Sequence, residues 1–152
     1  MAGEKEAIAF ADVVEDRLGY VLRRASSGMM SELGAVLARV GLRPVEATIL
    51  LLIGAREGST QSEIGRTLGI KRANMVPLIA GLTAKGLVEK SPVDGRSQGL
   101  SLTVTGIVSR DAADAAMQAH ERRFQSLLSE TEVKMLRDVL GRIVREIGQS
   151  PD

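Results

Sequence analysis

Residues 60–106 read TQSEIGRTLGIKRANMVPLIAGLTAKGLVEKSPVDGRSQGLSLTVTG. Thr60 and Glu63 have the spacing of a capping box, in which each side chain satisfies the other residue's amide at a helix start. A short helix follows with Ile64 and Leu68 inward. Gly69 supplies the freedom for a sharp turn, and Ile70 plugs the angle to a second helix. That helix starts near Lys71, with Met75, Leu78, Ile79 and Leu82 at helical spacing on its inner side. Gly86 ends it. Leu87–Lys90 then reads as a strand, and Ser91–Gly99 as a loop rich in turn residues. Leu100 and Leu102 alternate with Ser101 and Thr103, as in a second strand.

Helix, turn, helix, strand, charged loop, strand is the order of a winged helix-turn-helix. Such a unit presents a helix to the major groove and a loop to the DNA beside it. The flanks are helical. Ala11–Val40 reads as one long helix, with possible bends at Gly19 or Ser26–Gly28, and residues 1–9 as a tail. Pro44 suits the first position of the next helix. The run from Ala47 to Ile53 is apolar on nearly all sides, so that helix belongs at the centre. Beyond the second strand, Leu102, Thr103 and Gly106 restart a helix extending to about Leu128, rich in alanine. Ser129 and Glu132 form a second capping box. The helix it opens carries Val133, Leu136, Val139, Leu140, Ile143, Val144 and Ile147 along one face.

The expected fold is therefore mainly α with a small β-wing. A winged helix-turn-helix at 41–102 sits between long N- and C-terminal helices at 1–40 and 103–152, in a single protomer. The terminal helices carry more apolar surface than the winged unit can cover. Pairing the same helices from two copies would bury it, which points to a symmetric homodimer.

Composition narrows the function. Hydrophobic residues make up 44% of the 152, enough for a core, yet no run approaches the roughly 20 apolar residues of a membrane span. The acidic N-terminus lacks a secretion signal pattern, and the expected location is the cytoplasm. With no cysteine and one histidine, thiolate and multi-histidine metal sites are excluded. No Gly-rich loop follows a strand in a cofactor-binding pattern, no Ser/His/Asp set has supporting spacing, and no carboxylate pair stands out. Neither a cofactor nor an enzymatic activity is expected. Phe10, Tyr20 and Phe124 are the whole aromatic set, too few to stack bases of a single strand. The net charge is only +1, but it is unevenly distributed. Residues 56–110 hold eight basic and four acidic residues, net +4, leaving twelve and fifteen elsewhere, net −3. The central unit is basic and the flanks acidic.

Several stretches together resemble the MarR (multiple antibiotic resistance regulator) family. They are Leu68-Gly69-Ile70, the run Gly81–Lys90, Asp94-Gly95-Arg96-Ser97, the pattern Leu102-Thr103-x-x-Gly106, and Leu18–Ala25. The resemblance covers nearly the whole chain and implies a triangular homodimer that binds a palindromic operator on double-stranded DNA. It further implies a repressor released by a small, often aromatic, ligand. The rival expectation is a winged-helix dimer that works through protein or small-molecule binding without specific DNA binding.

The expected DNA-binding residues follow. Lys71, Arg72 and Asn74 lie where the family's reading helix enters the groove, and their side chains suit guanine, adenine or phosphate. Gln61 and Ser62 sit at a helix start, where free amides attract phosphate. Arg96, on the wing, suits the negative potential of a narrow minor groove, with Asp94 as the acceptor that orients it. Pro77 departs from the family, which often has a polar or basic residue there. Proline removes an amide and crowds the carbonyl of Ala73, so either the helix bends or its regular part begins later, near Asn74. For ligand binding, the resemblance points to the junction of the first, second and fifth helices. Tyr20, Arg23 and Arg24 are the candidate anchors for a carboxylate or phenol, and Ile49, Ile53 and Met29 or Met30 the candidate walls. Tyr20 and Arg24, four apart, share a helix face. His120 is expected to be a surface or dimer-packing residue rather than a sensor.

Overall fold

A computed structural model of the chain describes residues 14–93, 95 and 97–149. The chain divides into two compact units, Met1–Asp114 and Ala115–Asp152. The elements in order are α1 (Leu18–Ala38), α2 (Pro44–Ala55), β1 (Ser59–Thr60), α3 (Gln61–Leu68), α4 (Arg72–Ala84), β2 (Val88–Pro92), β3 (Gln98–Leu102), α5 (Val104–Gln125) and α6 (Glu130–Gln149). The division falls within α5. No helix among the described residues is long and apolar enough to cross a membrane.

In the first unit α2 is the central helix, as its apolar run requires. Ala47, Ile49, Leu50 and Ile53 are buried, and they share the core with Leu37 of α1, Met75, Ile79 and Leu82 of α4, and Leu100 of β3. α1 and β3 both pack against α2. The sheet has three antiparallel strands in the order β1-β3-β2, so β3 is central. Its register pairs Ser59 with Leu100, and Val88, Lys90 and Pro92 with Leu102, Leu100 and Gln98.

The winged helix-turn-helix is present, with differences in detail. β1 was not legible, because two residues carry no periodicity; Ser59 and Thr60 become a strand only by pairing with Leu100 and Gly99. β2 runs two residues beyond the expected Lys90, because Ser91 and Pro92 pair with Gly99 and Gln98. The Val93 amide donates to the Ser97 carbonyl, so the wing turn is tighter than the expected 91–99 loop.

The expected single helix over Ala11–Val40 is interrupted. Residues 14 and 15 are helical, Arg17 is extended (φ −89°, ψ 109°), and α1 restarts at Leu18. Once restarted, α1 runs unbroken through Gly19 and Ser26–Gly28, because packing of Leu33 and Leu37 supports a helix that tolerates glycine at modest cost. α5 stops at Gln125 rather than Leu128, and tight turns lead into the cap of α6.

The junction from wing to α5 explains the spacing of Thr103 and Gly106. The Thr103 hydroxyl accepts from the Gly106 amide at 2.9 Å and donates to the Gly86 carbonyl at 2.6 Å. It therefore caps α5 and ties it to the end of α4. Gly106 lies directly against Leu87: a Cβ there would collide with the Leu87 carbonyl.

In the second unit, Ser129 and Glu132 close the expected capping box: the Ser129 amide and hydroxyl donate to Glu132 Oε2, both at 2.8 Å. These bonds hold the Glu132 carboxyl below its ordinary range. Leu136, Leu140, Val144 and Ile147 of α6 are all exposed. His120 packs edge-on against Phe124, ring centroids 4.9 Å apart.

Candidate nucleic-acid interface

The site is assembled from the start of α3, the outward side of α4 and the β2–β3 hairpin. At the start of α3 the Glu63 carboxylate accepts from the Thr60 amide at 2.7 Å and the Thr60 hydroxyl at 3.0 Å. The Glu63 amide in turn donates to Thr60 Oγ1 at 3.3 Å. Arg56 reaches the same carboxylate at 2.8 Å. The Thr60 bonds, with Arg56 nearby, lower the Glu63 pKa. Glu63 is thus committed to holding the helix start in place. Gln61 and Ser62 in the same turn are half-buried and exposed respectively.

Gly69 makes the turn, with φ 65° in the left-handed region, and the Ile70 amide donates back to the Gly65 carbonyl at 2.8 Å. Lys71 is the extended residue before α4, and its carbonyl accepts from the amides of Asn74 and Met75. α4 begins at Arg72 and continues without a break through Pro77, so its regular part does not start later at Asn74. Proline costs one bond to the Ala73 carbonyl, while Met75 on one side and Ile79 and Leu82 on the other hold the helix into the core. That packing sends Lys71, Arg72 and Asn74 to the exposed side, where the sequence had placed them.

These elements enclose a hollow of about 690 Å³ lined by Thr60, Gln61, Ser62, Arg72, Val76, Lys90, Ser97, Gln98 and Leu100. A smaller hollow of about 200 Å³ adjoins it, sharing Gln61, Ser62 and Arg72 and adding Arg66. Among the described residues, neither lining contains a carboxylate. The structure brings Gln61, Ser62 and Arg72 together, and adds Lys90 and Arg66, which sequence reasoning had counted only as part of the net charge. Lys90 and its strand partner Leu100 lie on the same face of the sheet, and both line the hollow. Asp94 and Arg96 lie outside the described residues.

A profile of the MarR family matches residues 40–97, the span from before α2 to the wing. Over 137 residues, 88% of this chain and 82% of the relative, the chain is 26% identical to a "putative transcriptional regulatory protein for hcr operon" of Thauera aromatica. Among solved structures, the transcriptional repressor CouR bound to a 23-mer DNA duplex superposes with a TM-score of 0.80. It is 34% identical, covering 86% of this chain and 94% of that one. CouR from Rhodococcus jostii RHA1 bound to p-coumaroyl-CoA superposes at 0.78 with 29% identity, covering 84% and 92%. The chain belongs to the MarR family. It is a transcriptional regulator of that family, and its winged helix-turn-helix is the one the family shares.

In this MarR-family chain α4 is fastened at its far end by a group that sequence reasoning missed. Glu46, in the first turn of α2, is 2% exposed. Its carboxylate accepts from the Arg43 amide at 2.8 Å and from Lys85 Nζ at 3.0 and 3.1 Å, with the Arg43 guanidinium at 3.3 Å. Lys85 also donates to the Gly41 carbonyl at 3.1 Å. Burial pushes the Glu46 carboxyl up, but the Arg43 amide, Lys85 and the Arg43 guanidinium outweigh it and lower the pKa. Pro44 at the helix start with Glu46 in the first turn was a readable start signal; Lys85, 39 positions away, was not.

The expected ligand residues fall on two helices that pack together. Tyr20 and Met29 on α1 are half-buried, while Arg23 and Arg24 are exposed. The Arg23 guanidinium stacks over the Tyr20 ring at 5.4 Å. Ile49 and Ile53 of α2 lie inside the core. Among the described residues no group of three or more carboxylates and histidines could hold a metal ion.

Proposed function

We propose that this MarR-family regulator is a homodimeric repressor that binds a palindromic operator and is released by a small aromatic ligand. The observation that carries the DNA reading is the hollow between α3, α4 and the wing, with Gln61, Ser62, Arg72 and Lys90 on its walls and no carboxylate among its described lining residues. Lys71 and Asn74 at the start of α4 suit base edges or phosphate, and Arg96, oriented by Asp94, suits the minor groove beside them. Two such units need fixed spacing. The exposed apolar residues of α6, with Leu18 and Val21 of α1 and Ile107 and Val108 of α5, support burial against a second copy. A regulator that acts on DNA in this way works in the cytoplasm.

CouR supports the effector class, an aromatic acid or its thioester, through its complex with p-coumaroyl-CoA. In this chain Tyr20, Arg23, Arg24 and Met29 are the proposed ligand contacts, with Ile49 and Ile53 behind them. Arg23 and Arg24 would meet the anionic group. The test is selection from random duplex DNA followed by a salt titration. An imperfect palindrome with half-sites about 10 base pairs apart should be enriched. Four cations per protomer (Lys71, Arg72, Lys90 and Arg96) imply about eight neutralised phosphates, so log K should fall against log salt with a slope of about −7. A pool with no enriched sequence, or a flat salt response, refutes this function and favours a winged-helix dimer that acts without specific DNA binding.

A further inference from the structure

The outward strip of α4 has an unusual chemistry for a helix that faces DNA. Ala73, Val76, Pro77 and Ala80 recur at helical spacing and are all exposed, while Met75, Ile79 and Leu82 occupy the buried side. The side chains of that strip offer no donor and no acceptor. The polar side chains on this side lie at the helix start, Lys71, Arg72 and Asn74, and at its last turn, Thr83. Val76 is the large member of the strip, 52% exposed, and it lines the same hollow as Arg72, Gln61, Ser62 and Lys90.

A single exposed valine is ordinary. This one is set beside Arg72 and Lys90, with no carboxylate among the described residues of the lining, a surround complementary to phosphate. In the major groove the apolar feature a base pair presents is the C5-methyl of thymine. Val76 is β-branched and stiff, and Pro77 beside it is locked in φ, so little freedom is lost when the strip meets a flat surface. Resting on the DNA reading above, we infer that Val76, flanked by Ala73 and Pro77, reads a thymine methyl in each half-site. Part of the sequence preference is then apolar rather than hydrogen-bonded.

Deoxyuridine in place of thymidine removes that methyl and leaves every hydrogen-bonding group unchanged. With the selected operator, thymines are replaced one half-site position at a time. At one position the wild-type dimer should bind about three- to fourfold more weakly per methyl removed, and about tenfold when both half-sites are changed. V76A should bind the thymine operator about as weakly as the wild type binds its uracil counterpart, and should not distinguish the two. V76T, which retains a methyl, should keep part of the discrimination. The inference is overturned if no uracil-containing operator differs from its parent, or if V76A discriminates as well as the wild type. Either result leaves the palindrome and its salt slope intact, whereas failure to enrich any operator removes the DNA reading itself.

Discussion

Replacing Lys85 by methionine tests whether the buried carboxylate of Glu46 holds α4 to its scaffold. The substitution keeps the stem and removes the ammonium, and with it two hydrogen bonds to Glu46 and one to the Gly41 carbonyl. Glu46 then keeps the Arg43 amide and a longer contact to the Arg43 guanidinium in a site where its side chain is 3% exposed. Breaking a fully buried pair costs about 3–5 kcal/mol. The Lys85 side chain is 42% exposed and regains water in part, which lowers the expected loss to about 2–3 kcal/mol. For a chain of this length that is a fall in Tm of roughly 4–12 °C. The assay is thermal unfolding at matched protein concentration, because a dimer's Tm depends on concentration.

The pH profile sharpens the test. Glu46 titrates below the ordinary 4.5 in the folded chain, so its contribution is present above that value and is lost as pH falls through the folded value. Without Lys85, burial gains the upper hand and the pKa rises above its unfolded value, so protonation of Glu46 relieves K85M as pH falls, while the wild type loses the contribution of the clasp. The gap between K85M and the wild type should narrow in acid. Adding E46Q, which keeps an acceptor for the Arg43 amide and removes the charge, should recover more than about 1 kcal/mol of the loss. A Tm change under about 2 °C for K85M, or strictly additive losses in the double variant, would refute the clasp.

Three further outcomes are expected. G106A should cost about 2–3 kcal/mol, because its methyl meets the backbone carbonyl of Leu87 rather than a side chain that could swing away. An unchanged urea midpoint would mean that α5 moves off Leu87 freely. R96A should weaken operator binding by roughly 1–3 kcal/mol without lowering Tm, and equal dissociation constants would remove the wing from the interface. Y20F removes the hydroxyl but keeps the ring under Arg23. It should shift the ligand dose-response while leaving operator affinity unchanged; an unaltered dose-response would assign Tyr20 to packing alone.

Most of this winged unit was legible because its signals are local. A capping box spans four residues, and a helical stripe repeats every three or four. Thr60, Glu63, Gly69, Lys71 and the Met75–Leu82 stripe therefore appear where short-range chemistry puts them. The candidate site was only partly legible. Exposure of Lys71, Arg72 and Asn74 follows from the stripe they lie outside. That Lys90 and Val76 share a hollow with Gln61 follows from the hairpin folding beside α4, which no period reveals.

The sequence alone determined that residues 60–106 make two helices and a hairpin, that α2 is central, and that the middle of the chain is basic. Each of these depends on neighbours a few residues apart, or on composition. Tertiary structure decided the rest: the two-residue strand β1, the break at Arg17, the uninterrupted course of α4 through Pro77, and the Glu46–Lys85 clasp. In the strand, the helix and the clasp the deciding partner lies far along the chain. Ser59 is a strand because Leu100 pairs with it, and Glu46 stays ionised in the interior because Lys85 reaches it. α4 remains one helix because its core contacts offset the bond that proline removes. Opposite that buried side, α4 turns its apolar strip to solvent, and the tertiary fold sets Val76 of that strip in one hollow with Arg72 and Lys90.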